Sequence, residues 1–108
     1  MKILPLNIGD LLNPLALALW IQDDGYWNNA VILCTDNFTY SEVLILGHVL
    51  ESNFSLLNTI NIKTRSDGTV CWRLRISSKH ENLAKLREIV LPHFAPSMLY
   101  KLGLGTKD

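Results

Sequence analysis

The stretch LALALWIQDDG, residues 15–25, decides how this chain is read. Asn13-Pro14 just before it marks a helix start, with Asn as N-cap and Pro at the first helical position. The spacing predicts a helix to about Gln22, with Gly25 in the left-handed conformation that ends it. Leu15, Ala16, Leu17, Ala18, Leu19, Trp20 and Ile21 leave this helix no polar face, so it is buried on several sides. In a domain of this size, one of those sides is expected to meet another protein surface. The helix then finishes on two adjacent carboxylates, Asp23 and Asp24. A helix C-terminus carries partial negative charge and disfavours acids, and neighbouring like charges add to the cost. A metal ion, a partner chain or water must offset it.

Downstream, Tyr26-Trp27 reads as a very short strand, Asn28-Asn29 as a tight turn, and residues 30–35 as a full strand. Thr39 and Glu42 form a capping box, which predicts a second helix over residues 40–52. Val43, Leu46 and Leu50 recur there at helical spacing. The clearest hairpin turns at Asp67-Gly68. On its two strands Ile60, Ile62 and Thr64 alternate with Asn61, Lys63 and Arg65, and Trp72, Leu74 and Ile76 alternate with Arg73, Arg75 and Ser77. Successive side chains point to opposite faces of a strand, so one face is apolar and the other basic. Ser78 and Glu81 are expected to cap a third helix that ends before Pro92, and SMLYKLG, residues 97–103, has room for one more short turn or helix. The order is that of an α+β domain, with helices covering one face of an antiparallel sheet.

The chain has 108 residues, of which 48% are hydrophobic and 19% charged, so it reads as one globular domain over residues 1–108. The formal net charge is zero, which counts against a nucleic-acid binder of the uniformly basic kind. The distribution is uneven: Lys63, Arg65, Arg73, Arg75 and Lys79 face one acid, Asp67, within residues 61–79. Cys34 and Cys71 have no metal-type spacing and read as reduced strand residues. His48, His80 and His93 form no metal pattern either. The N-terminal apolar run is broken by Asn7, Gly9 and Asp10, unlike a secretory signal. The apolar run near residues 15–21 is shorter than the roughly 20 residues of a membrane span.

With these elements in place, the chain resembles the LAGLIDADG homing endonucleases. LALALWIQDDG is similar to the signature helix in the second half of many members, and APSMLYKLG resembles their closing segment with its Pro-x-Met-x-Tyr-Lys pattern. The similarity covers about residues 11–102. It implies one αββαββα unit with a four-stranded antiparallel sheet, helices on one face and a basic concave face. It also implies a homodimer through the signature helix, with Leu15, Ala18, Leu19 and Gln22 at the interface. Asp24 would be the catalytic, metal-binding acid, with the backbone carbonyl of Asp23 as a second contact to Mg²⁺ or another divalent cation. Lys101 would lie near the attacking water or leaving oxygen. A two-stranded ribbon fits the DNA major groove, which makes Asn61, Lys63, Arg65, Arg73, Arg75 and Ser77 the nucleic-acid-binding candidates. Taken alone, Lys101 reads as a surface lysine and the basic face as a solvated one.

There are three departures from the family pattern. The chain holds one signature helix where a cleavage site needs two. Leu19 stands where the motif often has Gly, and Gln22 where it is often acidic. The first hairpin is very short. Three functions therefore stay open. The first is a homodimer making a metal-dependent double-strand cut in DNA at a long near-palindromic site. The second is a catalytically idle dimer holding structured RNA, as an intron splicing factor or ribosomal component. The third is a degenerate half without function. No membrane partner is expected, and family habit points to an organelle, mitochondrion or chloroplast.

Overall fold

Between the helix that ends in Asp24 and the strand that follows it there is no loop. The computed structural model describes residues 7–105, so part of the N-terminal run read for a signal lies outside the described residues. A short helix α1 (Ile8–Leu11), not expected from the sequence, leads into α2 (Pro14–Asp24). The side chain of Asn13 accepts from the Ala16 amide at 2.8 Å, as its N-cap position requires. The helix runs two residues further than expected. Gly25 ends it in extended backbone (φ −93°, ψ 160°), not in the left-handed conformation. Its lack of a side chain still matters, because a Cβ there would lie 2.6 Å from the carbonyl oxygen of Ile21.

Strands β1 (Gly25–Trp27) and β2 (Val31–Cys34) form the first hairpin, with Asn29 at positive φ in the turn. Helix α3 (Tyr40–Phe54) carries both hydrogen bonds of the Thr39/Glu42 capping box. Strands β3 (Asn58–Thr64) and β4 (Val70–Ile76) follow, turning at Gly68 with φ +90°. Helix α4 (His80–Val90) has Lys79 as its N-cap and no side-chain cap bond, so Ser78 and Glu81 do not cap it. Asn82 serves that region instead. It is buried, donates to the carbonyls of Leu57 and Ser77 at 3.1 and 2.8 Å, and accepts from the Leu57 amide at 2.8 Å. Short 3₁₀ turns at Leu91–His93 and Pro96–Leu102 close the chain.

The sheet is antiparallel in the order β1-β2-β4-β3. α2 packs on β2 and α4, while α3 packs on β3 and β4. The core between these layers takes Leu17, Ala18 and Ile21 from α2, Val31 and Leu33 from β2, and Leu74 and Ile76 from β4. Leu102 reaches the same core from the last turn. The apolar face of the long hairpin is covered only near its base: Ile62 is 71% exposed and Val70 50%. The outer hairpin therefore projects beyond the helices with both faces open. Among the described residues, no helix is long and apolar enough to cross a membrane.

Candidate nucleic-acid interface and helix-end site

The sheet face opposite the helices follows from register. Cys34 pairs with Arg73, Ile32 with Arg75 and with Tyr26, and Asn61 with Arg73, so these residues share one face. Asn61 and Lys63 are exposed on it. Arg75 is half-buried and reaches the Asn28 carbonyl at 3.4 Å. A hollow of about 170 Å³ opens between Tyr26, Asn28, Asn61, Lys63, Arg73 and Arg75. Ser77 lies just past β4 and is tied into the turn before α4, its amide donating to Leu57 and its hydroxyl accepting from the Lys79 amide.

Two of the arginines are already engaged. Arg73 grips Asp36 through Nε and Nη2, each at 3.2 Å, and its Nη1 donates to the Tyr26 hydroxyl at 3.0 Å. The guanidinium carbon lies 5.6 Å from the centre of the Tyr26 ring, within cation–π range. Arg65, just past β3, donates to the same Asp36 carboxylate at 3.1 Å. Hydrogen bonding from Arg73 holds the Asp36 carboxyl below the usual carboxylate range, and the same bond raises Arg73. Asp36, in the loop between β2 and α3, and Tyr26, on the shortest strand, were not singled out by sequence reasoning. No pattern at either position signals the role.

The second site is the end of α2. The last carbonyls of a helix lack intrahelical partners. The Ile21 carbonyl is met by the Gly25 amide, and the Gln22 carbonyl by the ammonium of Lys101. Lys101 thus brings a positive charge to the helix terminus that carries Asp23 and Asp24, which answers part of the cost of the two acids. Asp23 is exposed and Asp24 half-buried. Lys101 is positioned by its neighbours. Leu102 is buried, Arg87 donates to the Leu102 carbonyl at 3.0 and 2.7 Å, and Gly103, at φ +74°, lies so close to Trp27 that a Cβ would meet its ring at 2.6 Å. Arg87 was missed by the sequence reading.

The oxygens at this helix end are of the kind that hard divalent cations bind. Among the described residues, no three His, Cys, Asp or Glu side chains cluster. The described residues therefore form no complete protein cage. Mg²⁺ binds through one or two carboxylates completed by water and phosphate oxygens. The Asp24 carboxylate and a helix-end carbonyl fit one half of such a site.

The four residues expected at an interface divide. Leu15 and Leu19 are 49% and 51% exposed, with Ala16 and Trp20 half-buried beside them. Ala18 instead lies wholly within the chain's own core. Gln22 points toward the segment after α4, donating to the His93 carbonyl at 3.2 Å and accepting from the Ala95 amide at 2.9 Å. Its position on the helix, one turn after Ala18, puts it on the inward side.

The intron-encoded endonuclease ai4 of Dictyostelium discoideum is 38% identical over 105 residues, 95% of this chain and 63% of its own length. The cytochrome b mRNA maturase bI2 of Saccharomyces cerevisiae is 36% identical over 103 residues, 94% of this chain and 23% of its own length. The solved structure of the homing endonuclease I-WcaI bound to its DNA recognition sequence matches 97% of this chain and 47% of that one, with a TM-score of 0.78 and 25% identity. The chain thus spans less than two thirds of the length of each of these relatives. The family of LAGLIDADG DNA endonucleases matches residues 1–86, most of the sequence, and the four-stranded sheet with its helices is the fold of a homing endonuclease. The chain belongs to the LAGLIDADG DNA endonuclease family.

Proposed function

We propose that this chain folds as one domain and forms one half of a DNA-cleaving LAGLIDADG assembly, a second copy supplying the other half. The observation that carries this reading is the convergence of Asp24 and Lys101 at one helix end, beside a sheet face bearing Lys63, Arg73 and Arg75. Leu15 and Leu19 form the outward apolar stripe of α2, four residues apart and so on one side. A symmetric pair through that stripe closes on itself and sets two Asp24-bearing ends side by side.

In such a pair the exposed sheet faces hold duplex DNA, with Lys63 and Arg75 attracting phosphates and Asn61 at the base edges. Asp24 and the Asp23 carbonyl would hold a divalent cation, which when bound would stabilise charge on the phosphate and make its water more acidic. The Lys101 ammonium, held by the Gln22 carbonyl, adds positive charge where the cleaved bond develops negative charge. An organellar setting is supported by the cytochrome b mRNA in the name of one relative.

The test begins by crosslinking the protein to the nucleic acid that accompanies it and sequencing that nucleic acid. One near-palindromic DNA site, cut on both strands with Mg²⁺ by the wild type and bound but uncut by Asp24→Asn, is the expected result. Unchanged cutting by Asp24→Asn overturns the catalytic assignment. A second reading, a dimer holding structured RNA, is favoured by the 36% identity to an mRNA maturase. It would be supported by recovery of one defined RNA whose binding survives Asp24→Asn and weakens in Arg73→Ala/Arg75→Ala.

A further inference from the structure

A carboxylate on a surface that attracts phosphates weakens that attraction, so Asp36 needs a reason to be there. Its side chain is 19% exposed and takes three guanidinium contacts, two from Arg73 and one from Arg65. A guanidinium has five N–H donors. Asp36 takes two of those on Arg73 and Tyr26 takes a third, which leaves two, one on each terminal nitrogen. A donor left on each terminal nitrogen can be offered to the O6 and N7 acceptors of guanine in the major groove. The plane of the group is held by the two-point grip of Asp36 and by the Tyr26 ring. The neighbours differ. Arg75 makes one long contact to a neutral carbonyl, and neither Arg75 nor Lys63 has a carboxylate within ion-pair distance among the described residues.

We propose that Asp36 is a positioning residue for sequence recognition: by pairing with Arg73 it makes that arginine a fixed reader of guanine and leaves phosphate binding to Arg75 and Lys63. The inference rests on the reading of this face as a duplex-DNA surface. Orientation, and not charge, is what Asp36 contributes. Its carboxylate offsets the charges of Arg73 and Arg65 as phosphate ligands, while holding Arg73 to one geometry lowers the entropy lost on meeting a base.

The test uses the full chain and a pool of DNA duplexes with randomised cores, selected by binding and sequenced. Wild type should enrich a guanine at a defined position. Asp36→Asn should lose that enrichment while binding the unselected pool more tightly, with log K against log[salt] steeper by about 0.9 for each arginine released to a phosphate. Arg73→Lys, which keeps the charge and lacks the fork, should also lose the guanine. Arg75→Ala should keep it and make the slope shallower by about 0.9. Asp36→Glu, able to restore the pair, should recover part of the preference. Asp36→Asn that keeps the guanine but weakens binding to every sequence overturns the proposal and makes Asp36 merely structural. So does Arg73→Ala that flattens the salt slope as much as Arg75→Ala. If wild type binds no duplex from the pool, or holds structured RNA alone, the underlying reading of the face fails and the proposal fails with it. Far-ultraviolet circular dichroism of each variant separates these outcomes from misfolding, and if Asp36→Asn does not fold, Asp36→Glu decides the question: a guanine preference equal to or above that of wild type would overturn the proposal.

Discussion

The ammonium of Lys101 donates to the backbone carbonyl of Gln22, a residue 79 positions earlier in the chain. One bond therefore joins the last 3₁₀ turn to the end of the signature helix and sets a cation beside Asp23 and Asp24. Lys101→Met leaves that carbonyl without its charged partner and removes the charge. The expected outcomes are a loss of stability of about 1 kcal/mol, read from the urea midpoint, and a larger loss of DNA cleavage than of DNA binding, read by assaying both on one duplex.

The outward stripe of α2 is tested by Leu15→Glu with Leu19→Glu. Both side chains are about half exposed in the single chain, so the change costs the domain itself little. Sedimentation equilibrium should show a dimer for wild type and a monomer for the double variant. A wild type that is monomeric across the micromolar range would contradict the pairing.

Asp36 predicts an acid-dependent stability. An unfolded aspartate titrates near about 3.9, and in the folded chain Arg73 holds Asp36 lower. Between the two values the unfolded state binds more protons, so stability rises with pH. The contribution is fully present above the unfolded value and disappears as pH falls through the folded one. Urea titrations at stepped pH should show wild type losing stability in acid and Asp36→Asn losing less. A residual slope should remain from Asp67, whose carboxyl is also held low by the hydroxyl of Thr69 at 2.6 Å.

Asn82 predicts a larger structural effect than its place on a helix implies. Asn82→Ala leaves the Leu57 amide without its acceptor and removes a donor from two carbonyls. Buried polar groups left unpaired cost about 1–3 kcal/mol each. The expected loss is about 2–3 kcal/mol in a denaturant titration, against a few tenths for the exposed neighbour change Glu81→Ala.

Most elements were legible in the sequence because their causes are local. Asn13-Pro14, the Thr39/Glu42 box and the Asp67-Gly68 turn act within a few residues, and all three are present. The Ser78 cap was misread because the first turn of α4 is held through Asn82, whose partners lie up to 25 positions away. The left-handed Gly25 was misread because the chain enters β1 directly, and extended backbone there lets it pair with Leu33.

By itself the sequence determined the strand alternation, the helix starts and the signature helix with its two closing acids, since periodicity and capping are properties of neighbours along the chain. It also placed Asp24 and Lys101 as candidates through the motifs that contain them. Only the tertiary structure decided that Lys101 meets the end of α2, that Asp36 sits between Arg65 and Arg73, and that Ala18 and Gln22 turn inward while Leu15 and Leu19 turn out. Those outcomes depend on how helices, sheet and tail stack. A helix that is apolar on every side has no period from which its buried face can be read.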